Sequence, residues 1–292
     1  MKLLYGIAFV SAVATLVNGL SFSEIADESA PSPRDADLTS DEESRIYGGS
    51  NADINKYPYV AALFVEGTDG VPFCGGTLIA PQYVLTTVPC LEWFPLDLQV
   101  SLGTPRGKGR KSRKAEQIRA VEAFRHPLHN STWLTYDVAL LKLEKPSTHK
   151  PAHLCDADGS DDKPGTMATV LGWGEVKKEV VAETLQSVDA KIIPDDECGK
   201  YAIDTDVTLC AGTERGKGFC GGDVGGPLIA NDVVVGIASA LPGDTGDCGD
   251  LPSLYTRVSH VLDFVTDVVN GGSTGNVTEL LPMPYFVMEK SQ

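Results

Sequence analysis

From Ile46 onward the chain is a succession of short runs rich in β-branched residues, separated by Gly, Pro, Asp or Asn. The clearest are residues 59–65, 76–79, 83–87, 98–102, 138–143, 167–171 and 233–238. Runs of this length bounded by turn residues predict an all-β fold of many short strands. One segment has a different period. Val258, Val261, Leu262, Val265, Val268 and Val269 follow i, i+3, i+4, i+7 spacing, while Ser259, His260, Asp263, Thr266 and Asp267 lie on the opposite face. That predicts a helix near the C-terminus, stopped by Gly271-Gly272. Apolar residues are 42% of the 292, enough to bury a large core.

The N-terminus carries a separate signal. Lys2 precedes an apolar run at 3–17, and Val17 and Gly19 place small residues at −3 and −1 of a cleavage point. This predicts a secretory signal peptide over 1–19; the alternative, a membrane anchor, needs roughly twenty apolar residues. Residues 20–45 set Glu24, Asp27, Glu28, Asp35, Asp37, Asp41, Glu42 and Glu43 against Arg34 and Arg45 alone, with no hydrophobic period, as in a disordered acidic leader. The folded domain is expected over 46–270 and a flexible tail over 271–292. A formal charge of −16 argues against nucleic acid or anionic membrane as partners. Seven cysteines in an oxidising compartment leave at least one free or paired outside the chain.

Motifs then occur in a telling order. Arg45-Ile46-Tyr47-Gly48-Gly49 comes first, followed by Cys74-Gly75-Gly76-Thr77-Leu78 and Thr86-Thr87-Val88-Pro89-Cys90. Tyr136-Asp137-Val138-Ala139-Leu140-Leu141, Gly172-Trp173-Gly174 and Cys220-Gly221-Gly222-Asp223-Val224-Gly225-Gly226-Pro227 follow. Together they resemble the chymotrypsin-like (trypsin-fold) serine proteases. The resemblance implies a double six-stranded antiparallel β-barrel with a C-terminal helix and a cleft between the barrels.

The departures fall on the chemistry. In that family the residue before the cysteine of the 86–90 segment is the general-base histidine, and here it is Pro89. The nucleophilic serine lies between Gly-Asp and Gly-Gly-Pro, where this chain has Val224. Of the three catalytic positions only Asp137 is retained. Acyl transfer needs a nucleophile, a base and a group orienting the base, and losing one member costs on the order of 10⁴ to 10⁶ in turnover. His126, His129, His149, His153 and His260 remain, and the family pattern places none of them beside a vacated position. The resemblance also assigns Gly218 to the floor of the substrate pocket, where an acidic residue would select Lys or Arg. It places Ala240 and Leu241 on the pocket wall; Leu241 obstructs the mouth unless its loop is displaced. The activation pair is kept: cleavage after Arg45 would free the Ile46 amine for Asp223, or both are inherited scaffold without cleavage.

Family spacing further implies the bridges Cys74–Cys90, Cys198–Cys210 and Cys220–Cys248, leaving Cys155 as a buried thiol or an intermolecular handle. Arg106, Lys108, Arg110, Lys111, Arg113, Lys114 and Arg119 face only Glu116, making a basic run in an acidic body. Arg110, Lys111, Arg113 and Lys114 are a candidate exosite for an anionic partner, or simply a solvated loop. Asn130-Ser131-Thr132 and Asn276-Val277-Thr278 are N-glycosylation sequons. No metal spacing or phosphate loop is read, and no cofactor is expected.

With the fold kept and the reaction centre lost, the expected function is protein binding by a secreted, catalytically dead homologue. The Thr-Thr-x-x-Cys segment and Asp156-Ala157-Asp158-Gly159-Ser160-Asp161 ahead of Gly172-Trp173-Gly174 resemble the glucanase inhibitor proteins of filamentous plant pathogens. That resemblance implies a host endo-β-1,3-glucanase as partner and suppression of glucan-elicited defence. The alternatives are a regulatory pseudoprotease, acting as cofactor or decoy for another secreted protease, and a cryptic serine endopeptidase.

Overall fold

All seven runs read from the sequence are strands, with ends displaced by a residue or two. The computed structural model describes residues 48–65, 71–93, 97–107, 115–177, 180–212, 214–242, 248–272 and 275–280. The signal peptide, the leader, Arg45 and Ile46 lie outside the described residues, as do Arg110, Lys111, Arg113 and Lys114.

In chain order the first strands are β1 (Ser50–Asn51), β2 (Val60–Val65), β3 (Cys74–Ala80), β4 (Tyr83–Thr86), β5 (Leu98–Leu102), β6 (Glu116–Arg125) and β7 (Ala139–Leu143). Strands β2, β3, β4, β7, β6 and β5 pair antiparallel in that order, and the β5–β2 ladder closes them into a six-stranded barrel. Closure removes free edges, and the inward side chains of Leu63, Leu78, Val100, Leu141 and Leu143 fill the interior.

The second half supplies β8 (His153–Leu154), β9 (Met167–Gly172), β10 (Glu175–Lys177), β11 (Val180–Val181), β12 (Gln186–Lys191), β13 (Thr208–Ala211), β14 (Pro227–Ala230), β15 (Val233–Ala240) and β16 (Ser253–Arg257). Here β12, β9, β14, β15, β16 and β13 are neighbours in order, and an Ile192–Ala211 bridge brings the ends together. In β12 the alternation is strict: Gln186, Val188 and Ala190 are buried, while Ser187, Asp189 and Lys191 point away. The short helix α1 (Pro89–Glu92) follows β4, and α2 (Asp195–Cys198) follows β12.

Two expectations at the C-terminus are corrected. The helical pattern from Val258 begins as a tight turn over 258–260, and α3 (Leu262–Val269) starts after it. Ser259, expected to face outward, is buried because its hydroxyl donates to Asp162 Oδ2 at 3.2 Å. Residues 276–279, read as part of a flexible tail, form β17 (Asn276–Glu279) against β6, with Leu280 buried on the first barrel's core. Backbone pairing supplied by β6 offsets the entropy of ordering this segment.

The barrels meet through glycine. A Cβ on Gly75 would come within 2.8 Å of the Gly226 backbone, and one on Gly225 (φ +85°) would collide with Thr86 Oγ1 and the Gly75 carbonyl. The Gly75 N–H donates across this contact to the Val224 carbonyl at 2.7 Å. Glycine at these positions lets β3 approach the turn that carries Val224.

Candidate functional site

Pro89, Asp137 and Val224 come together where the barrels face each other. Pro89 opens α1, where a residue without an N–H is tolerated. Its neighbour Cys90 is bridged to Cys74 on β3, which fixes this turn to the barrel wall. Val224 is half-buried and packs against the cores of both barrels, so an apolar plug fills this place. Neither side chain can titrate or act as a nucleophile.

Asp137 immediately precedes Val138 and β7, and is 0% exposed. Its Oδ1 accepts the Val88 N–H at 2.9 Å, and its Oδ2 accepts the Ser239 hydroxyl at 2.6 Å. The Ser239 bond joins the first barrel to β15 of the second. Burial pushes the Asp137 carboxyl above the ordinary carboxylate range, opposed by the Ser239 and Val88 hydrogen bonds and by His129 nearby. Pro89, next after Val88, has no N–H to add.

His129 is the group the sequence reading missed. Its Nδ1 stands 4.0 Å from Asp137 Oδ1, and its side chain is 5% exposed. His129 thus stands beside Asp137, the one catalytic position retained, rather than beside Pro89 or Val224 in any contact seen among the described residues. Periodicity could not reveal this, because His129 lies in an irregular segment whose path depends on two left-handed residues, Leu134 (φ +52°) and Tyr136 (φ +51°). Such conformations cost a non-glycine residue about 1–2 kcal/mol each. His126 braces the same segment by stacking on Tyr136, centroids 4.6 Å apart, and meeting Phe264 edge-on at 4.9 Å. Burial, with His129 close by, pushes the His126 imidazole below its usual range. His149, His153 and His260 do not join the site.

A cavity of about 290 Å³ opens beside Ser239, the residue bonded to Asp137, with Thr132, Trp133 and Leu134 on one side and Ser239, Ala240 and Leu241 on the other. Trp133 is 56% exposed, while Leu241 folds half-buried onto the second barrel's core. Gly218 is not among the residues lining this cavity; it is buried where a Cβ would come within 3.1 Å of Ser253 Oγ.

Asp223 is fully buried. Its carboxylate accepts the Gly174 N–H at 2.7 Å and the Cys220 N–H at 3.0 Å. Gly172 and Gly174 form its cradle, since a Cβ on either would overlap the carboxylate. Burial raises its pKa to about 7, against the lowering effect of those two bonds.

The three disulfides are Cys74–Cys90, Cys198–Cys210 and Cys220–Cys248. Cys155 is free and buried in the second barrel's core, and burial pushes its thiol up to about 12. Arg106, the first residue of the basic run, and Gly107 line a second cavity of about 430 Å³ with Val71, Pro72, Val181 and Glu183. Asn130 is exposed in a turn where its Oδ1 accepts the Thr132 and Trp133 N–H groups, whereas Asn276 is in β17 opposite Arg125. Among the described residues no three His, Cys, Asp or Glu side chains are placed to hold a metal, and no helix is long and apolar enough to cross a membrane.

Two closed barrels, a cleft between them and a buried aspartate under the Gly-Trp-Gly turn define the class: the chain belongs to the trypsin family, whose model, described as Trypsin, matches residues 46–265. A solved structure titled "Atomic resolution structure of HBP" superposes with a TM-score of 0.68 at 26% identity, over 79% of this chain and 100% of that one. Within the family the chain is similar to proteins named for inhibition. It is 40% identical over 214 residues to "Glucanase inhibitor protein 3" of Phytophthora infestans, covering 70% of this chain and 80% of the relative. It is 36% identical over 241 residues to "Glucanase inhibitor protein 3" of Phytophthora sojae, covering 77% and 89%.

Proposed function

We propose that this chain is a secreted, proteolytically inactive trypsin homologue that binds and inhibits a host endo-β-1,3-glucanase, suppressing release of defence-eliciting glucan fragments. The observation that carries this reading is the shared name of its 34–41% identical Phytophthora relatives, all glucanase inhibitor proteins. The chemistry at the cleft agrees with it. Proline and valine at the base and nucleophile positions leave no route through an acyl-enzyme. Secretion follows from the signal peptide read at 1–19, and glycosylation from the sequons at Asn130 and Asn276.

In this reading Arg110, Lys111, Arg113 and Lys114 form an exosite for an acidic face of the partner. Reversing their charge should weaken partner binding and flatten its salt dependence. Affinity capture from the extracellular fluid of plant tissue tests the proposed target. Recovery of an endo-β-1,3-glucanase supports the reading; a protease recovered with no glucanase overturns it and favours the regulatory pseudoprotease.

A further inference from the structure

We propose that His129 has taken over as the side-chain partner of Asp137. The buried pair, in place of the lost triad, then holds residues 126–137 as one wall of the cavity between the barrels. The inference is independent of the partner's identity.

Asp137 and His129 both have hydrogen-bonding capacity left unmet. An ionised carboxylate offers about four lone-pair sites. Asp137, sealed from water, receives a backbone N–H and a hydroxyl, and the adjacent residue is a proline. On the other side of the gap, His129 Nδ1 is buried and has no hydrogen-bond partner, and the carboxylate oxygen lies 4.0 Å away. A bare Nδ1 would turn a lone pair toward a negative group in a low-dielectric setting. A protonated Nδ1 turns a donor toward it. Only the second is attractive, so on this proposal Nδ1 carries a proton when Asp137 is ionised. The other ionisable neighbours do not compete for the role. His126 Nδ1 accepts the Leu128 N–H at 3.2 Å, and Glu92, itself an acid, pairs with Arg125 at 3.4 Å.

The pair is tied mechanically to the cavity wall. From His129 the chain passes directly into the turn at Asn130, whose N–H donates to the Thr135 carbonyl at 3.1 Å. Thr132, Trp133 and Leu134 lie within that closed turn and line the cavity. Leu134 and Tyr136 hold unfavourable backbone angles, so the turn needs anchors at both ends. Tyr136 is held by its stack on His126, and the start of the turn is held by His129 on Asp137.

The test uses the full secreted chain. Long-range ¹H–¹⁵N spectra of the imidazoles, with His129→Gln for assignment, should show a proton on His129 Nδ1 whose signal moves in Asp137→Asn. A bare Nδ1 in the wild type, or a signal unchanged by Asp137→Asn, overturns the proposal. Hydrogen exchange supplies the second arm. His129→Phe and Asp137→Asn should each speed amide exchange across residues 130–135 by roughly tenfold, the double variant should go no further than either single, and His129→Gln should restore part of the protection. Additive effects, or exchange indifferent to His129→Phe, refute the coupling.

Discussion

Asp223 should make this chain lose stability as pH rises, because its buried carboxyl holds a proton that the unfolded chain releases. Its carboxyl is fully buried and accepts two backbone N–H groups, and its folded pKa is about 7 against an ordinary 3.8. Because the folded value lies above the unfolded one, the folded state retains the proton. The stabilisation is complete below about pH 4 and is lost as pH rises through about 7. At about 1.4 kcal/mol per pKa unit, this group alone should remove about 3 kcal/mol of stability between pH 4.5 and 8. Urea denaturation of the leader-bearing chain and of Asp223→Asn at pH 4.5, 6 and 8 isolates the contribution, since only the wild type carries the titrating group. The gap between the two should change by that amount across the range. Treatment with a trypsin-like protease that cuts after Arg45 should supply the Ile46 amine to the carboxylate and abolish the slope. A gap that stays constant with pH in the uncut chain would refute the assignment of a buried, proton-retaining Asp223.

Other consequences follow from the same geometry. Hydrolysis of ester and peptide substrates by the wild type should equal that of Asp137→Asn, because neither form has a nucleophile; turnover in the wild type that Asp137→Asn abolishes would establish a cryptic endopeptidase. Removing the Cys74–Cys90 bridge by double substitution to alanine should cost about 3 kcal/mol, measured by denaturant midpoint, since it closes a 16-residue separation. Cys155 should react with a thiol reagent only after unfolding, and a non-reducing gel should show monomer; reaction in the native state, or a disulfide dimer, would contradict its placement in the core. Gly174→Ala should destabilise the fold by several kcal/mol, because the new methyl enters the space of the Asp223 carboxylate.

How far the fold was legible depends on the kind of strand. Continuous apolar runs such as Val60–Val65 and Leu98–Leu102, buried along their whole length, announce themselves. Strand β6 (Glu116–Arg125) interleaves charge with burial and leads out of the basic run, so its pattern reads as surface. Strand β17 depends on a partner more than a hundred residues away, which no local period encodes. The same division holds at the site. Asp137, Asp223 and the vacated positions sit in motifs with fixed spacing, whereas His129 reaches Asp137 through two left-handed residues and a side-chain-capped turn. Those are properties of backbone angles rather than of residue order.

The most direct test of the central claim is hydrolysis of β-1,3-glucan by a purified plant endo-β-1,3-glucanase in the presence of the purified chain. Hydrolysis should fall in proportion to added protein and reach its floor near stoichiometric amounts, with the glucanase polypeptide left uncut. Full hydrolysis at stoichiometric excess, or loss of activity accompanied by cleavage of the glucanase, would contradict that claim.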